Sequence, residues 1–198
     1  MRTGIYGGSF DPIHTGHIAA AEAVLHGRAL DRVFLLPAGE PPHKPGGCVA
    51  SFADRVAMAR LATAPIHGLE VVDWEGQRPG PSYTRDTVAE AMIRYPDDLF
   101  ELLVGADMLA DLPEWMDAKT IVKNVVIVAF ARPGESLSEA LAVCLAGLPE
   151  ADVHTIEIPL VEASSSSLRA AIRAGRPTET VVPDAVAQFI QEHGLYGG

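Results

Sequence analysis

Gly4-Ile5-Tyr6-Gly7-Gly8-Ser9-Phe10-Asp11-Pro12-Ile13-His14-Thr15-Gly16-His17-Ile18 is the stretch around which the rest of the chain is organised. Thr3 to Tyr6 is short and apolar, the pattern of a strand. Gly7 and Gly8 are expected to end it, since glycine admits positive φ and lets a ligand come close to the backbone. Ala19 to Leu25 then reads as helix, with Thr15 as its N-cap. His14 and His17 stand three apart, so in a first helical turn both rings point the same way, out of the helix N-terminus. Unpaired N–H groups and the positive end of the helix dipole gather there, which suits a phosphate, and two imidazoles add donors whose charge varies near neutral pH. Zinc is the competing reading of the pair. Cys48 and Cys144 lie far apart in unrelated contexts and complete no ligand set at suitable spacing, so phosphate is preferred.

Outward from this stretch, Arg32 to Leu36, closed by Pro37, is a second apolar strand. Strand, helix and strand in about 35 residues make a βαβ unit, and hence a parallel sheet with a right-handed crossover. Ala38 to Ala50 is a Pro/Gly-rich loop carrying His43 and Lys44. Ser51 with Asp54 resembles a capping box for a helix through Thr63, with Val56, Met58, Ala59 and Leu61 on its apolar side. Leu69 to Trp74 reads as a third strand. Thr84 is the expected cap of a helix to Arg94, and Leu99 to Val104 is a fourth strand ending at Gly105-Ala106-Asp107. Val125 to Phe130 and Val153 to Ile158 complete the strands, with Ser138 to Ala146 helical between them. Two helices follow, Ser166 to Ala174 and Pro183 to His193, parted by Gly175-Arg176-Pro177. Near-continuous apolar runs indicate strands buried on both faces. The expected fold is therefore α/β: a doubly wound, mainly parallel, Rossmann-like sheet of about five or six strands with helices on both faces. Ligands in such sheets collect at the carboxyl ends of the strands, where the strand order switches.

With 198 residues, 48% hydrophobic and 21% charged, the chain suits a single domain spanning 1–198, with the helical part 164–198 packed on it. A net charge of −11 argues against DNA or RNA as partners, which demand a basic face. It also means that Lys44, Arg132 and Arg169, all near turns, must concentrate positive charge if the protein holds phosphate. No apolar run approaches the roughly 20 residues that span a bilayer, and the N-terminus enters a strand directly, so a cytoplasmic protein with reduced thiols and no membrane partner is expected.

Gly7-Gly8-Ser9-Phe10-Asp11-Pro12-Ile13-His14-Thr15-Gly16-His17 resembles, without a gap, the GGxFDPxHxGH signature of the nucleotidyltransferases that join a nucleoside monophosphate to a phosphate-bearing acceptor. Ser164-Ser165-Ser166-Ser167-Leu168-Arg169 is similar to their ISSTxIR motif, with Ala163, Ser166 and Leu168 as mild departures. Serine hydroxyls and N–H groups at a helix start can form a second anion site, and Arg169, about one turn in, can take two phosphate oxygens. Pro41-Pro42-His43-Lys44 resembles the family's PPHK segment, in which the lysine helps hold phosphate; on a loop it can close over the site. Pro81-Ser82-Tyr83-Thr84-Arg85-Asp86-Thr87, Gly105-Ala106-Asp107 with Trp115 beyond it, Arg132-Pro133-Gly134 and the end Phe189 to Tyr196 together look like the bacterial nicotinate-nucleotide adenylyltransferases.

That resemblance implies a reaction between ATP and nicotinate mononucleotide that gives nicotinate adenine dinucleotide and pyrophosphate, a step of NAD biosynthesis. It implies His14, His17, Lys44 and Arg169 as the catalytic groups. ATP would meet Gly7, Gly8, Ser9, Phe10, Gly16, Gly105, Asp107, Arg132, Ser165 and Ser166. The acceptor would meet Tyr83, Thr84 and Trp115, its ring stacked on the indole. Mg²⁺ is expected to be held mainly by ATP phosphates, with no metal ligand from protein side chains. Asp107 can accept from ribose hydroxyls or act as a helix cap, Arg132 can lie near adenine, near the phosphates or in a solvated turn, and Asp11 reads as a turn acceptor rather than a base. Trp74 belongs to the core or to a loop contact. Two readings compete: a sister enzyme acting on nicotinamide mononucleotide or phosphopantetheine, and a non-catalytic nucleotide-binding protein. Oligomeric state is left open by the sequence.

Overall fold

The apolar runs pair side by side, and alternate residues of each face opposite layers. In a computed structural model of the chain, which describes residues 1–42, 46–131, 135–159, 161, 163–178 and 181–197, these strands form one parallel sheet. The strands are β1 (Arg2–Gly8), β2 (Arg32–Pro37), β3 (Leu69–Val71), β4 (Leu99–Gly105), β5 (Val126–Phe130) and β6 (Val153–Thr155), in the order β3-β2-β1-β4-β5-β6. Gly8 lies opposite Pro37, Ile5 opposite Leu102 and Gly105 opposite Phe130. The order reverses between β1 and β4, and the carboxyl ends of these two strands, Gly8 and Gly105, flank the crevice where such sheets bind ligands.

The helices are α1 (Thr15–Gly27), α2 (Phe52–Thr63), α3 (Thr84–Arg94), α4 (Ala106–Asp111), α5 (Ala118–Asn124), α6 (Leu137–Gly147), α7 (Ser165–Arg173) and α8 (Asp184–Glu192). On one face Tyr6, Val33, Leu35 and Leu103 pack with α1, α2, α7 and α8. On the other, Ile5, Phe34, Leu36, Leu102 and Val104 pack with α3 to α6. This alternation along β1, β2 and β4 is the period of two that buries both sheet faces. No helix among the described residues is long and apolar enough to cross a membrane.

Several boundaries differ from those expected. β1 continues through Gly7 and Gly8, and neither has positive φ; Phe10 does, at 45°. What Gly8 supplies is room, because a Cβ there would stand 2.9 Å from the Phe10 ring. Thr15 is the first residue of α1 and His14 its N-cap; likewise Thr84 begins α3 and Tyr83 is its N-cap. Ser51 caps α2 as anticipated, accepting from the Asp54 N–H at 3.1 Å. Leu61 is substantially exposed, whereas Arg55, unforeseen, is buried on that helix. β3 stops at Val71, and Trp74 opens a 3-10 turn, Trp74–Gln77, buried with its ring edge-on to Phe34 at 5.5 Å. The core reading of Trp74 is the correct one. β6 ends at Thr155, and α4, α5 and the 3-10 turn Leu112–Glu114 were not foreseen.

At the sheet end away from the crevice, charge is paired as burial requires. Asp98 receives the Thr3 hydroxyl at 2.7 Å, Arg32 at 2.9 Å and the N-terminal ammonium at 3.1 Å. Burial opposes ionisation of this carboxyl, but these partners outweigh it and hold its pKa below the ordinary value. Glu101 on β4 is buried between Arg2 and Arg28.

Candidate active site

His14 and His17 meet at the N-terminus of α1, their ring centroids 3.7 Å apart and inclined by 31°. The His14 backbone N–H donates to His17 Nδ1 at 3.2 Å. That bond uses the Nδ1 lone pair, so in the neutral ring the proton sits on Nε2 and the far side of the imidazole is a donor. Phe10 holds His17 edge-on at 5.1 Å, and Tyr6 supports Phe10 at 5.6 Å. Gly16 leaves room for the His14 ring, which would lie 3.1 Å from a Cβ there. Tyr6, His14, Gly16, His17, Phe130, Ile158, Pro159, Val161 and Ala163 line a cleft beside this pair.

The strand ends supply the rest of this rim. Gly7 and Gly8 close β1, and a Cβ at Gly7 would meet no protein atom within 4 Å. Gly105 closes β4 and caps α4, placing exposed Asp107 in that helix's first turn, where its Oδ1 accepts the Met108 N–H at 2.8 Å. Asp107 therefore lies inside the helix rather than at its cap.

Asp11 is a buried hub. Its carboxylate accepts the Val49 N–H at 2.8 Å, the Ala50 N–H at 3.0 Å and the Tyr196 hydroxyl at 2.8 Å, the turn-acceptor role expected for it. Arg169 donates to the Asp11 carbonyl at 2.7 Å and to Ser166 Oγ at 3.2 Å, and its Nη1 is 3.8 Å from Asp11 Oδ2. Ser165 donates to the Pro12 carbonyl at 3.0 Å. Ser164 caps α7 in a reciprocal box with Ser167. The two motifs far apart in sequence are thus joined directly, with Arg169 and Ser165 drawn against residues 11 and 12 and Ser166 bound to Arg169.

Arg55, which the sequence reading missed, reaches from α2 under the same loops. It donates to the carbonyls of Ser9 at 2.8 Å and Ala38 at 2.7 Å, the residues that leave β1 and β2. Its spacing from Ala59 and Ala62 on the buried face of α2 was the available signal. Tyr196 was missed for another reason: only the chain fold brings it to Asp11.

Tyr83, Thr84 and Trp115 lie on crossovers of the other sheet face. Tyr83 and Thr84 form the start of α3, and partly buried Trp115 follows the Leu112–Glu114 turn and packs on the core of that face. Its indole N–H is buried and has no hydrogen-bond partner among the described residues. Ser82, just before the turn, ties it to the segment after β2, accepting the N–H groups of Gly39 and Glu40 at 3.0 and 3.2 Å. Buried Glu75 accepts the Thr87 hydroxyl at 2.7 Å; burial raises its pKa, and its hydrogen-bond partners and Arg78 only partly offset this. Lys44 and Arg132, also expected in the site, lie outside the described residues.

Comparison with known proteins bears on the family and the fold. The cytidylyltransferase-like family model matches residues 5–171. A Roseiflexus castenholzii protein named probable nicotinate-nucleotide adenylyltransferase is 46% identical, covering 98% of each chain. One of the same name from Citrifermentans bemidjiense is 41% identical, covering 99% of this chain and 98% of its own. The solved Plasmodium falciparum nicotinic acid mononucleotide adenylyltransferase complexed with NaAD shares the fold, with a TM-score of 0.81 at 19% identity over 98% of this chain and 97% of that one. A loop-and-histidine site at the β1/β4 switch, read with these full-length relatives, means that the chain belongs to the nicotinate-nucleotide adenylyltransferases of the cytidylyltransferase-like family.

Proposed function

We propose that the enzyme transfers AMP from ATP to nicotinate mononucleotide, releasing pyrophosphate and forming nicotinate adenine dinucleotide. The observation that carries this reading is the His14–His17 pair: the His14 N–H to His17 Nδ1 bond leaves Nε2 as a donor at a helix N-terminus beside the cleft. The acceptor phosphate is already an anionic nucleophile, so the chemistry needs alignment and charge stabilisation rather than a serine, a cysteine or a strong base.

In this reading ATP lies along Gly7, Gly8, Ser9, Phe10 and Gly16, with Gly105, Asp107, Ser165 and Ser166 on its rim. His17 and His14 donate near the α-phosphorus, and Arg169 and Lys44 balance charge on the departing pyrophosphate, with Arg132 near the nucleotide. Arg169 already approaches from Ser166, although two of its N–H groups are spent on Asp11 and Ser166. Trp115 stacks on the nicotinate ring, and the Tyr83-Thr84 turn supplies donors to its carboxylate. The side chains lining the cleft offer imidazole and aromatic groups and no carboxylate among the described residues. Such a donor set suits Mg²⁺ that arrives with ATP and keeps mainly phosphate oxygens; it would supply charge neutralisation when bound. Residues 1–198 act as one domain, since Leu168, Val186, Ile190 and Tyr196 share a core with Tyr6 and Val33. A cytoplasmic site of action goes with this reading.

The test mixes purified protein, ATP and Mg²⁺ with nicotinate mononucleotide, nicotinamide mononucleotide or phosphopantetheine in separate reactions, following pyrophosphate and product mass. Strong preference for the nicotinate acceptor is expected. Preference for another acceptor discards the acceptor pocket, and ATP binding without turnover discards catalysis.

A further inference from the structure

Glu75 is buried behind the start of α3, in a position that no motif marks. Its carboxylate receives the hydroxyl of Thr87, in the first turns of α3, at 2.7 Å. Arg78 donates to the same hydroxyl at 2.7 Å, so the Thr87 proton is directed to Glu75. Ser82, on the other side of Tyr83 and Thr84, and the Gly39 backbone also favour the ionised carboxylate. The backbone of the Glu75 turn and Gly39 touch so closely that a Cβ at Gly39 would meet the Glu75 carbonyl at 2.5 Å. Ser82 holds the same segment through the Gly39 and Glu40 N–H groups, and its own N–H donates to the Glu40 carbonyl at 2.8 Å. Tyr83, the N-cap of α3, makes no side-chain cap bond, so the aim of this helix start is set from outside the helix.

We infer that Glu75 is a positioning residue for acceptor binding. Through Thr87, and through the contact of its own turn with Gly39, which Ser82 grips, it brackets the Tyr83-Thr84 turn and holds the start of α3 relative to the segment that leaves β2. A carboxylate suits this position because the Thr87 hydroxyl, whose oxygen already accepts from Arg78, donates to it; an amide in its place turns one acceptor oxygen into a competing donor. The part of the ATP side built on α1 and α7 packs on the opposite face of the sheet from this bracket. This inference rests on the acceptor site proposed above.

The test is steady-state kinetics on the full chain, wild type and the variants Glu75→Gln, Thr87→Val, Thr87→Ser and Trp115→Ala, with ATP and nicotinate mononucleotide varied in turn. Glu75→Gln and Thr87→Val are expected to raise KM for nicotinate mononucleotide about tenfold or more, with KM for ATP within about twofold of wild type. Thr87→Ser, which keeps the hydroxyl, is expected to restore KM to within about threefold. A general structural role would instead move both KM values together, or lower kcat alone, and would overturn the inference. If Glu75→Gln does not fold, the same split in Thr87→Val against Thr87→Ser decides. Trp115→Ala raising the acceptor KM while the Glu75 and Thr87 variants leave it unchanged overturns the Glu75 role and keeps the acceptor site. No effect of Trp115→Ala on the acceptor KM, or no turnover of nicotinate mononucleotide by wild type, overturns the acceptor site and this inference with it.

Discussion

The hydroxyl of Tyr196 donates to Asp11 Oδ1 at 2.8 Å, joining residues 185 positions apart inside the protein. The bond ties the end of the chain to the turn that leads into α1, while the same carboxylate holds the Val49 and Ala50 N–H groups at the foot of the 38–50 loop. Burial first, then the Asp11 charge, pushes the Tyr196 pKa far up, so the phenol stays a neutral donor. Tyr196→Phe deletes only this hydrogen bond to a charged acceptor and is expected to cost about 2 kcal/mol in urea unfolding. An unchanged midpoint would mean that the bond is not formed in solution.

His17→Ala is expected to lower kcat about a hundredfold, about 3 kcal/mol of barrier, by removing a donor that acts where charge develops. The fold should persist, since His17 is only partly buried and the core beneath it is Phe10 and Tyr6. Near-full turnover with an unaltered thermal melt would remove His17 from the catalytic groups.

Trp115 gives an optical handle on the acceptor. In a Trp74→Phe background its fluorescence should be quenched by nicotinate mononucleotide and left nearly unchanged by ATP, because a stacked pyridine ring contacts the indole directly. Quenching by ATP alone would place the nucleotide, not the acceptor, on Trp115.

Acid stability should depend on Asp98. Its folded pKa lies below the ordinary value of 3.8, so its stabilising contribution is complete above that value and is lost as pH falls through the folded pKa. Asp98→Asn is expected to cost about 3 kcal/mol at pH 7 by leaving Arg32 and the N-terminal ammonium without their carboxylate. The gap from wild type should narrow below about pH 4. A gap that stays constant into acid would show that hydrogen bonding, and not charge, is what Asp98 contributes.

Arg55→Met should impair both stability and turnover. It removes the charged donors that hold the partly buried Ser9 and Ala38 carbonyls while filling the same volume, and the loss of a hydrogen bond to a charged group costs about 1.5–3 kcal/mol. Chemical denaturation and kcat measured on the same variant check this; a loss of stability with wild-type kcat would confine Arg55 to the fold.

The sheet was legible because its signal is local and repeated: apolar runs such as Val126–Phe130 broken by glycine and proline admit few alternatives. Parallel pairing followed from the right-handed crossover rule and the βαβ rhythm, whereas the strand order came from the tertiary structure. Helix caps were misplaced by one residue at Thr15 and Thr84, since a cap is defined by backbone dihedrals that a threonine in either position would permit. α4 and α5 escaped notice because helices of six and seven residues are too short to show a period.

What the sequence by itself determined was the fold, the family and the histidine pair, because each is written in contiguous residues whose spacing carries its geometry. What only the tertiary structure decided was how those motifs are held: Arg169 against Asp11, Tyr196 on the same carboxylate, Arg55 beneath Ser9 and Glu75 beside Thr87. The physical reason is that a buried hydrogen bond depends on which surfaces the folded sheet brings together. Partners far apart in the chain leave no periodic trace of one another in the sequence.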